Sequence, residues 1–598
     1  MEQQQKMNRK RLSLLFAQMG EYKKDALLSP LCTVCCVILE ILIPFLTASI
    51  IDKGIAVGDT GHVIRVGAVM AVMAALSMVF GIRGGHHTAR AATGFAANLR
   101  SAMFSHIQEY SFANIDRFST AGLVTRLTTD VSSLQNALQM ILTMCTRAPF
   151  NLVIALFMAI SISPRLSVIF LIAIAFLGTV IFLLLPRAMK YFHRMFQKYD
   201  AVNASIKENV GAIRVVKAYV REDYEESRFK DSVQDLYDNS ISAERIVSLN
   251  QPVMMMTVYA CILLISWFGA HMIVGNTGLT TGQLTSLLAY VMNILFSLMM
   301  LSMVFVIVTQ SAAAAERVCE VLEEQPEIVS PVNAKMEVRD GSIDFENVSF
   351  SYHPGASRPV LHDIDLHIHS GETIGILGGT GSSKTSLVNL ISRLYDVTSG
   401  CVKVGGVDVR EYDLEALRRD VAVVLQKNVL FSGTVLENLR WGNKNATEEE
   451  CKEACRLACA DEFIERMPEG YETRIERGGA NVSGGQKQRL CIARALVGKP
   501  KVLILDDSTS AVDTATDAKI RAAMRQTIPG TTKIIIAQRI ASVEEADRVL
   551  VLDDGKISAF DTPDNLLATS AIYREVYETQ KQNGGGDFDE AAMKGGAA

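Results

Sequence analysis

Six long apolar runs in the first half of the chain decide what it can fold into. They occupy residues 31–51, 63–82, 140–162, 166–185, 253–274 and 284–308, beginning with "LCTVCCVILEILIPFLTASII". A helix crossing the roughly 30 Å hydrocarbon core of a bilayer needs about 20 apolar residues, and each run supplies that length. No comparable run follows residue 315. With 49% hydrophobic and only 21% charged residues overall, the first half reads as a six-helix α transmembrane domain.

Basic residues orient it. Segments 83–139 and 186–252 carry many Lys and Arg, loop 275–283 carries none, and 163–165 has only Arg165. Positive loops stay on the cytoplasmic side, which places both termini and everything after 315 in the cytoplasm of a multi-pass protein of the cell membrane. The cytoplasmic segments keep helical patterning well past the bilayer, as in "VNASIKENVGAIRVVKAYVREDYEESRF" (202–229). Helices that protrude this far need a partner, and the soluble half is the expected one. The start, "MEQQQKMNRKRLSLLFAQMGEYKK", pairs basic residues with an apolar run too short for a signal peptide. An amphipathic helix resting on membrane lipid at the cytoplasmic surface is expected there.

The texture changes near residue 320. The predicted domains are a transmembrane domain over 1–315, a polar linker over 316–340, an α/β domain over 341–580 and a Gly-rich, disordered tail over 581–598. A net charge of −5 argues against a nucleic-acid partner. Eleven Cys in this length form no disulfide framework. Cys451, Cys455 and Cys459, spaced by four, share a helix face and are expected to be buried packing residues.

"ETIGILGGTGSSKTSLVNLI" (372–391) reads as strand, loop, helix. Gly378, Gly379, Thr380, Gly381, Ser382, Ser383, Lys384, Thr385 and Ser386 make the predicted phosphate cradle of a P-loop ATPase. Backbone N–H groups curl round phosphates there, a helix N-terminus adds partial positive charge, Lys384 neutralises β/γ oxygens and the Thr385 hydroxyl ligates magnesium. Ser383 stands where the motif usually has Gly, so its side chain is expected to crowd the loop. Downstream, "KVLILDDSTSAVD" (501–513) runs a buried strand into two acids, and Asp506 is placed to hold magnesium.

"NVSGGQKQRLCIARAL" (481–496) contains Ser483, Gly484, Gly485 and Gln486, which resemble the signature motif of ATP-binding cassette (ABC) transporters. With a membrane half ahead of one cassette, residues 20–580 resemble an ABC exporter half-transporter, departing at the signature only in Val482 for the commoner Leu. The resemblance implies further roles. Tyr352 matches the aromatic that stacks on adenine. Gln426 matches the glutamine that touches magnesium and senses the membrane domain. Asp513 matches the loop that crosses to a partner cassette. Residues 112–131 and 205–223 match the two coupling segments. ATP and magnesium are the implied cofactors.

Two positions depart from the pattern. The family's Glu after the magnesium-binding Asp, which orients or deprotonates the attacking water, is Asp507 here, and its switch His is Gln538. Losing one methylene withdraws a carboxylate by about 1.5 Å, and misplacement by about 1 Å costs about 100-fold in rate. Gln donates a hydrogen bond but never becomes cationic. The expectation is a site that binds ATP and cleaves it poorly, in the degenerate half of a heterodimer with a second half-transporter, exporting drug-, lipid- or peptide-like amphiphiles. An ATP-gated, channel-like or regulatory membrane protein, or a slow homodimeric exporter, is the alternative. Glu40, inside the first span, is expected either to meet a cationic substrate or to hydrogen-bond at the Pro44 kink. Met254–Met256, Met299 and Met300 either line an adaptable cavity or pack helices.

Overall fold

The computed structural model describes residues 2–275, 278–353, 358–507 and 511–582. The chain forms two compact units. One comprises Met1–Gln108 and Thr120–Glu324; the other comprises Glu109–Ser119 and Gln325–Ala598. The tail expected from residue 581 lies almost wholly outside the described residues.

Among the described residues, six helical stretches of the first unit are long and apolar enough to span a membrane: Gly20–Ile55, Thr60–Gln108, Thr120–Ile162, Pro164–Gly211, Glu222–Val274 and Thr281–Leu301. The second holds 49 residues, about 73 Å at 1.5 Å per residue, so it extends far beyond a bilayer. The last helix, Thr281–Glu323, continues past residue 315 because "SAAAAERVCEVLE" has no helix breaker. The expected linker therefore begins as helix. A helix also covers Glu2–Ala17, and its Arg11 donates to Glu316 at 2.8 Å.

Around the core of this unit, Val37, Ile41, Phe170, Ile265, Leu287 and Ile294 are essentially solvent-free. Pro44 interrupts the ladder of helix Lys23–Ser49. Nearby carbonyls are served from helix Thr281–Glu323: Ser286 donates to the Pro44 oxygen at 2.6 Å and Tyr290 to that of Ile41 at 2.9 Å. The Glu40 carboxylate takes no part at the kink and pairs instead with Arg147. Three π-helical turns, Ile50–Ile55, Arg126–Asp130 and Ile141–Cys145, offset helix register in ways no apolar periodicity announces.

The second unit is α/β. Its six-stranded sheet runs in the order Lys556–Asp561, Arg548–Asp553, Thr373–Leu377, Thr532–Ile536, Val502–Asp506, Val421–Val424. Only the first pairing is antiparallel. The inner strands are buried along their whole length, as helix-covered parallel strands require. An antiparallel sheet built on Ile343–Phe350 and Leu361–Ile368 lies in the same unit. Cys451 and Cys455 are buried, and burial pushes the Cys455 thiol up to about 12, which keeps it inert; Cys459 does not share their helix face, because the helix ends at Leu457 and Cys459 lies half-buried in a left-handed turn at φ +49°.

Candidate ATP site

Four neighbouring parallel strands deliver the predicted residues. The phosphate loop follows Thr373–Leu377, Gln538 lies just past Thr532–Ile536, Asp506 ends Val502–Asp506 with Asp507 next, and Gln426 follows Val421–Val424. All leave the sheet at its carboxyl edge, where open α/β sheets bind ligands.

The loop is shaped by backbone. A Cβ on Gly378 would lie 2.3 Å from the Leu552 carbonyl, so only glycine fits. Gly381 and Ser383 are left-handed, at φ +88° and +74°. Glycine adopts that geometry freely, whereas an L side chain pays about 1–2 kcal/mol. Ser383 thus departs from pattern at a position where glycine is favoured. Its side chain gives no cap to the helix Lys384–Ile391, leaving the first-turn N–H groups available to an anion. Lys384 Nζ donates to the carbonyls of Gly378 and Gly379 at 2.7 and 2.8 Å, folding the ammonium over the loop.

Thr385 Oγ1 donates to Asp506 Oδ2 at 2.9 Å. A hydroxyl and a carboxylate side by side are hard oxygen donors of the kind magnesium prefers. Burial pushes the Asp506 carboxyl up, opposed by the Thr385 hydrogen bond and the Lys384 charge. A buried carboxylate in want of a cation fits the metal. Gln426 is exposed just past the end of the adjacent strand Val421–Val424.

Asp507 is also left-handed, at φ +48°, with its N–H donating to the Ile536 carbonyl at 3.1 Å. Asp tolerates this region better than longer side chains do. Local backbone therefore suits the shorter acid. Gln538 is held through its main chain: Gln580 Nε2 donates to the Gln538 carbonyl at 2.9 Å, and Gln580 Oε1 accepts from the Ile540 N–H at 2.8 Å.

Tyr352, about two-fifths exposed, shares a 2.7 Å hydrogen bond with the Ser386 hydroxyl and stands edge-on to Phe350 and Tyr395. It borders a cavity of about 530 Å³ that also touches Tyr395, His353 and Ala113. Tyr395 escaped sequence reasoning, although an aromatic just beyond the phosphate-loop helix was visible. Gln580 escaped too, since a lone Gln in a terminal helix carries no signal.

The signature residues open the helix Gly484–Val497. Ser483 and Gln486 form a reciprocal capping box, and a Cβ on Gly485 would meet the Ala511 carbonyl at 2.9 Å. Buried Gln488 accepts from the Ala511 N–H at 3.0 Å, tying this helix to the loop before Asp513. Asp513 accepts from the Thr516 N–H at 2.9 Å and caps Thr514–Thr527. Residues 508–510 between lie outside the described residues. The start of the first predicted coupling segment, helix Phe112–Phe118, belongs to this same unit; the second, within 205–223, lies in the first.

Residues 26–299 match the family model of the ABC transporter transmembrane region, and 361–510 match that of the ABC transporter. The uncharacterized ABC transporter ATP-binding protein Rv1273c of Mycobacterium tuberculosis is 36% identical over 95% of this chain and 98% of its own length. YfiB of Bacillus subtilis, also an uncharacterized ABC transporter ATP-binding protein, is 36% identical over 90% and 94%. A solved bacterial Atm1-family ABC exporter with ATP bound has the same fold, with a TM-score of 0.76 at 23% identity over 96% and 98% of the two chains.

Proposed function

The chain belongs to the ABC transporter family, with the exporter arrangement of a membrane domain and one ATPase cassette on a single polypeptide, and we propose that it is the catalytically impaired half of a heterodimeric exporter of small amphiphilic molecules. It is a multi-pass membrane protein whose cytoplasmic ATPase domain uses ATP with magnesium.

The observation that carries the proposal is the placement of Asp507 and Gln538 just past the carboxyl ends of two adjacent strands, one of which ends in the metal-ready Asp506. Tyr352 presents a ring for the base, worth about 1–3 kcal/mol when stacked. The loop 378–386 and Lys384 hold the phosphates. Thr385, Gln426 and Asp506 would hold magnesium, which would supply neutralisation of phosphate charge. Asp507 then has to place its carboxylate within about 2.6–3.2 Å of the attacking water. It is one methylene short, and Gln538 offers no positive charge nearby. Phosphoryl transfer rests on positioning and electrostatics, so both changes slow the same step.

Ser483, Gly484, Gly485 and Gln486, by contrast, form an intact helix start that can complete an ATP site on a second subunit, with Asp513 in the adjoining loop. The exposed apolar stretch Val210, Val215, Tyr219 and Val220 in the second coupling segment also suits burial against another chain. Closure around ATP shifts a two-state membrane domain only through ATP's different affinity for the two states. Hydrolysis at the partner-completed site resets it.

The test is accumulation of an amphiphilic dye in inside-out vesicles. Uphill, ATP-dependent uptake is expected when the chain is paired with a half-transporter carrying Glu and His at the two matched positions. Gradient dissipation without accumulation, gated by ATP, would instead make it a channel.

A further inference from the structure

The membrane unit contains an ion pair inside its apolar spans. Arg147 Nη2 donates to Glu40 Oε2 at 2.5 Å, and the Cys36 thiol donates to Glu40 Oε1 at 3.4 Å. Arg147 and Asn151, four residues apart on helix Thr146–Ile162, share a face. Asn151 Nδ2 donates to Ser297 Oγ at 2.8 Å and to the Asn293 carbonyl at 3.4 Å. Helices Lys23–Ser49, Thr146–Ile162 and Thr281–Glu323 thus meet along a polar strip, just after the π turn Ile141–Cys145 resets the register of the second.

Glu40 and Arg147 each leave 41% of the side chain exposed. Ionised groups at this depth turn away from lipid toward a polar lumen. The pair is neutral as a unit but bipolar. The carboxylate keeps spare lone pairs, and the guanidinium keeps N–H donors that have no other hydrogen-bond partner among the described residues.

We propose that Glu40 and Arg147, with Asn151 beside them, form a headgroup site for zwitterionic amphiphiles. A ligand ammonium faces Glu40, and its phosphate or carboxylate faces Arg147. Such a headgroup exchanges one internal ion pair for two new ones. A purely cationic or purely anionic amphiphile satisfies one partner and strands the other. This site deepens the exporter reading and is independent of which subunit hydrolyses ATP.

The experiment measures equilibrium binding to the full-length chain in lipid nanodiscs without nucleotide, so failed transport leaves it interpretable. The probes are a lysophosphatidylcholine, an alkyltrimethylammonium and an alkyl sulfate of equal chain length. The parent should prefer the zwitterion about tenfold. Glu40→Gln should move the preference to the alkyl sulfate and Arg147→Gln to the alkyltrimethylammonium, each by about tenfold. Unchanged preferences in both variants overturn the proposal. So do variants that alter subunit association but not probe preference, which would make the pair an intersubunit contact. If the single variants do not fold, Asn151→Leu, which keeps the ion pair, should weaken zwitterion binding several-fold; undiminished binding there overturns it as well.

Discussion

Tyr395 donates its hydroxyl to Asp116 at 2.6 Å while its ring stands edge-on to Tyr352, with centroids 5.0 Å apart. One side chain therefore touches both the proposed adenine platform and the short helix Phe112–Phe118 that opens the first proposed coupling segment. Tyr395→Phe keeps the ring and removes one partly exposed hydrogen bond, about 0.5–1.5 kcal/mol. ATP affinity should stay within about twofold while stimulation of ATPase by amphiphiles in the complex falls; full stimulation would contradict the link. Burial, then the hydrogen bond and charge of Asp116, push the Tyr395 phenol above its ordinary 10.0. A raised acid stabilises the fold fully below its unfolded pKa, and that share is lost as pH rises through the folded value. The stability difference between parent and Tyr395→Phe should hold constant up to about pH 10 and shrink only above it.

Ser383 sits at φ +74°. Ser383→Gly removes that strain and adds chain entropy to the unfolded state, for a net gain of about 0.5–1 kcal/mol. Thermal unfolding should move upward and ATP should bind about two- to fivefold more tightly. An unchanged melting temperature would show that the loop stores no strain there.

Asp506 is buried and its carboxyl is raised by that burial. Its stabilising share is present only in acid, below about 3.9, and is lost as pH rises through the raised value. At pH 7 the charge is a cost. Asp506→Asn should raise the melting temperature of the nucleotide-free protein at pH 7 and abolish the extra stabilisation that magnesium adds to ATP. Calorimetry with and without each component checks both signs.

Gln580 clamps the segment bearing Gln538 by two hydrogen bonds and is 6% exposed. Gln580→Ala leaves the Ile540 N–H without its partner, costing about 1–3 kcal/mol. Gln580→Glu keeps the acceptor but loses the donor and should fall between. Equal stability of all three would mean that the clamp contributes nothing.

The sequence made the large divisions legible because each rests on a local rule. Span length gave the six membrane helices, and local spacing gave the strand Thr373–Leu377, the loop after it and the helix Lys384–Ile391. What escaped depends on long-range partnership. Of the two roles expected for Glu40, the hydrogen bond at its own kink does not form, because Arg147 on another helix takes its carboxylate and the kink carbonyls go to Ser286 and Tyr290. Tyr395 and Gln580 act on segments hundreds or tens of residues away. The left-handed backbone at Asp507, which suits Asp better than Glu, depends on where the strand ends rather than on any motif.

The most direct test is steady-state ATP turnover of the chain purified without a second half-transporter, measured with magnesium beside its Asp507→Glu/Gln538→His variant. Slow hydrolysis by the parent, raised at least about tenfold by restoring reach and a titratable ring, is the predicted result. Brisk, magnesium-dependent turnover by self-paired parent chains would contradict the impaired-subunit account.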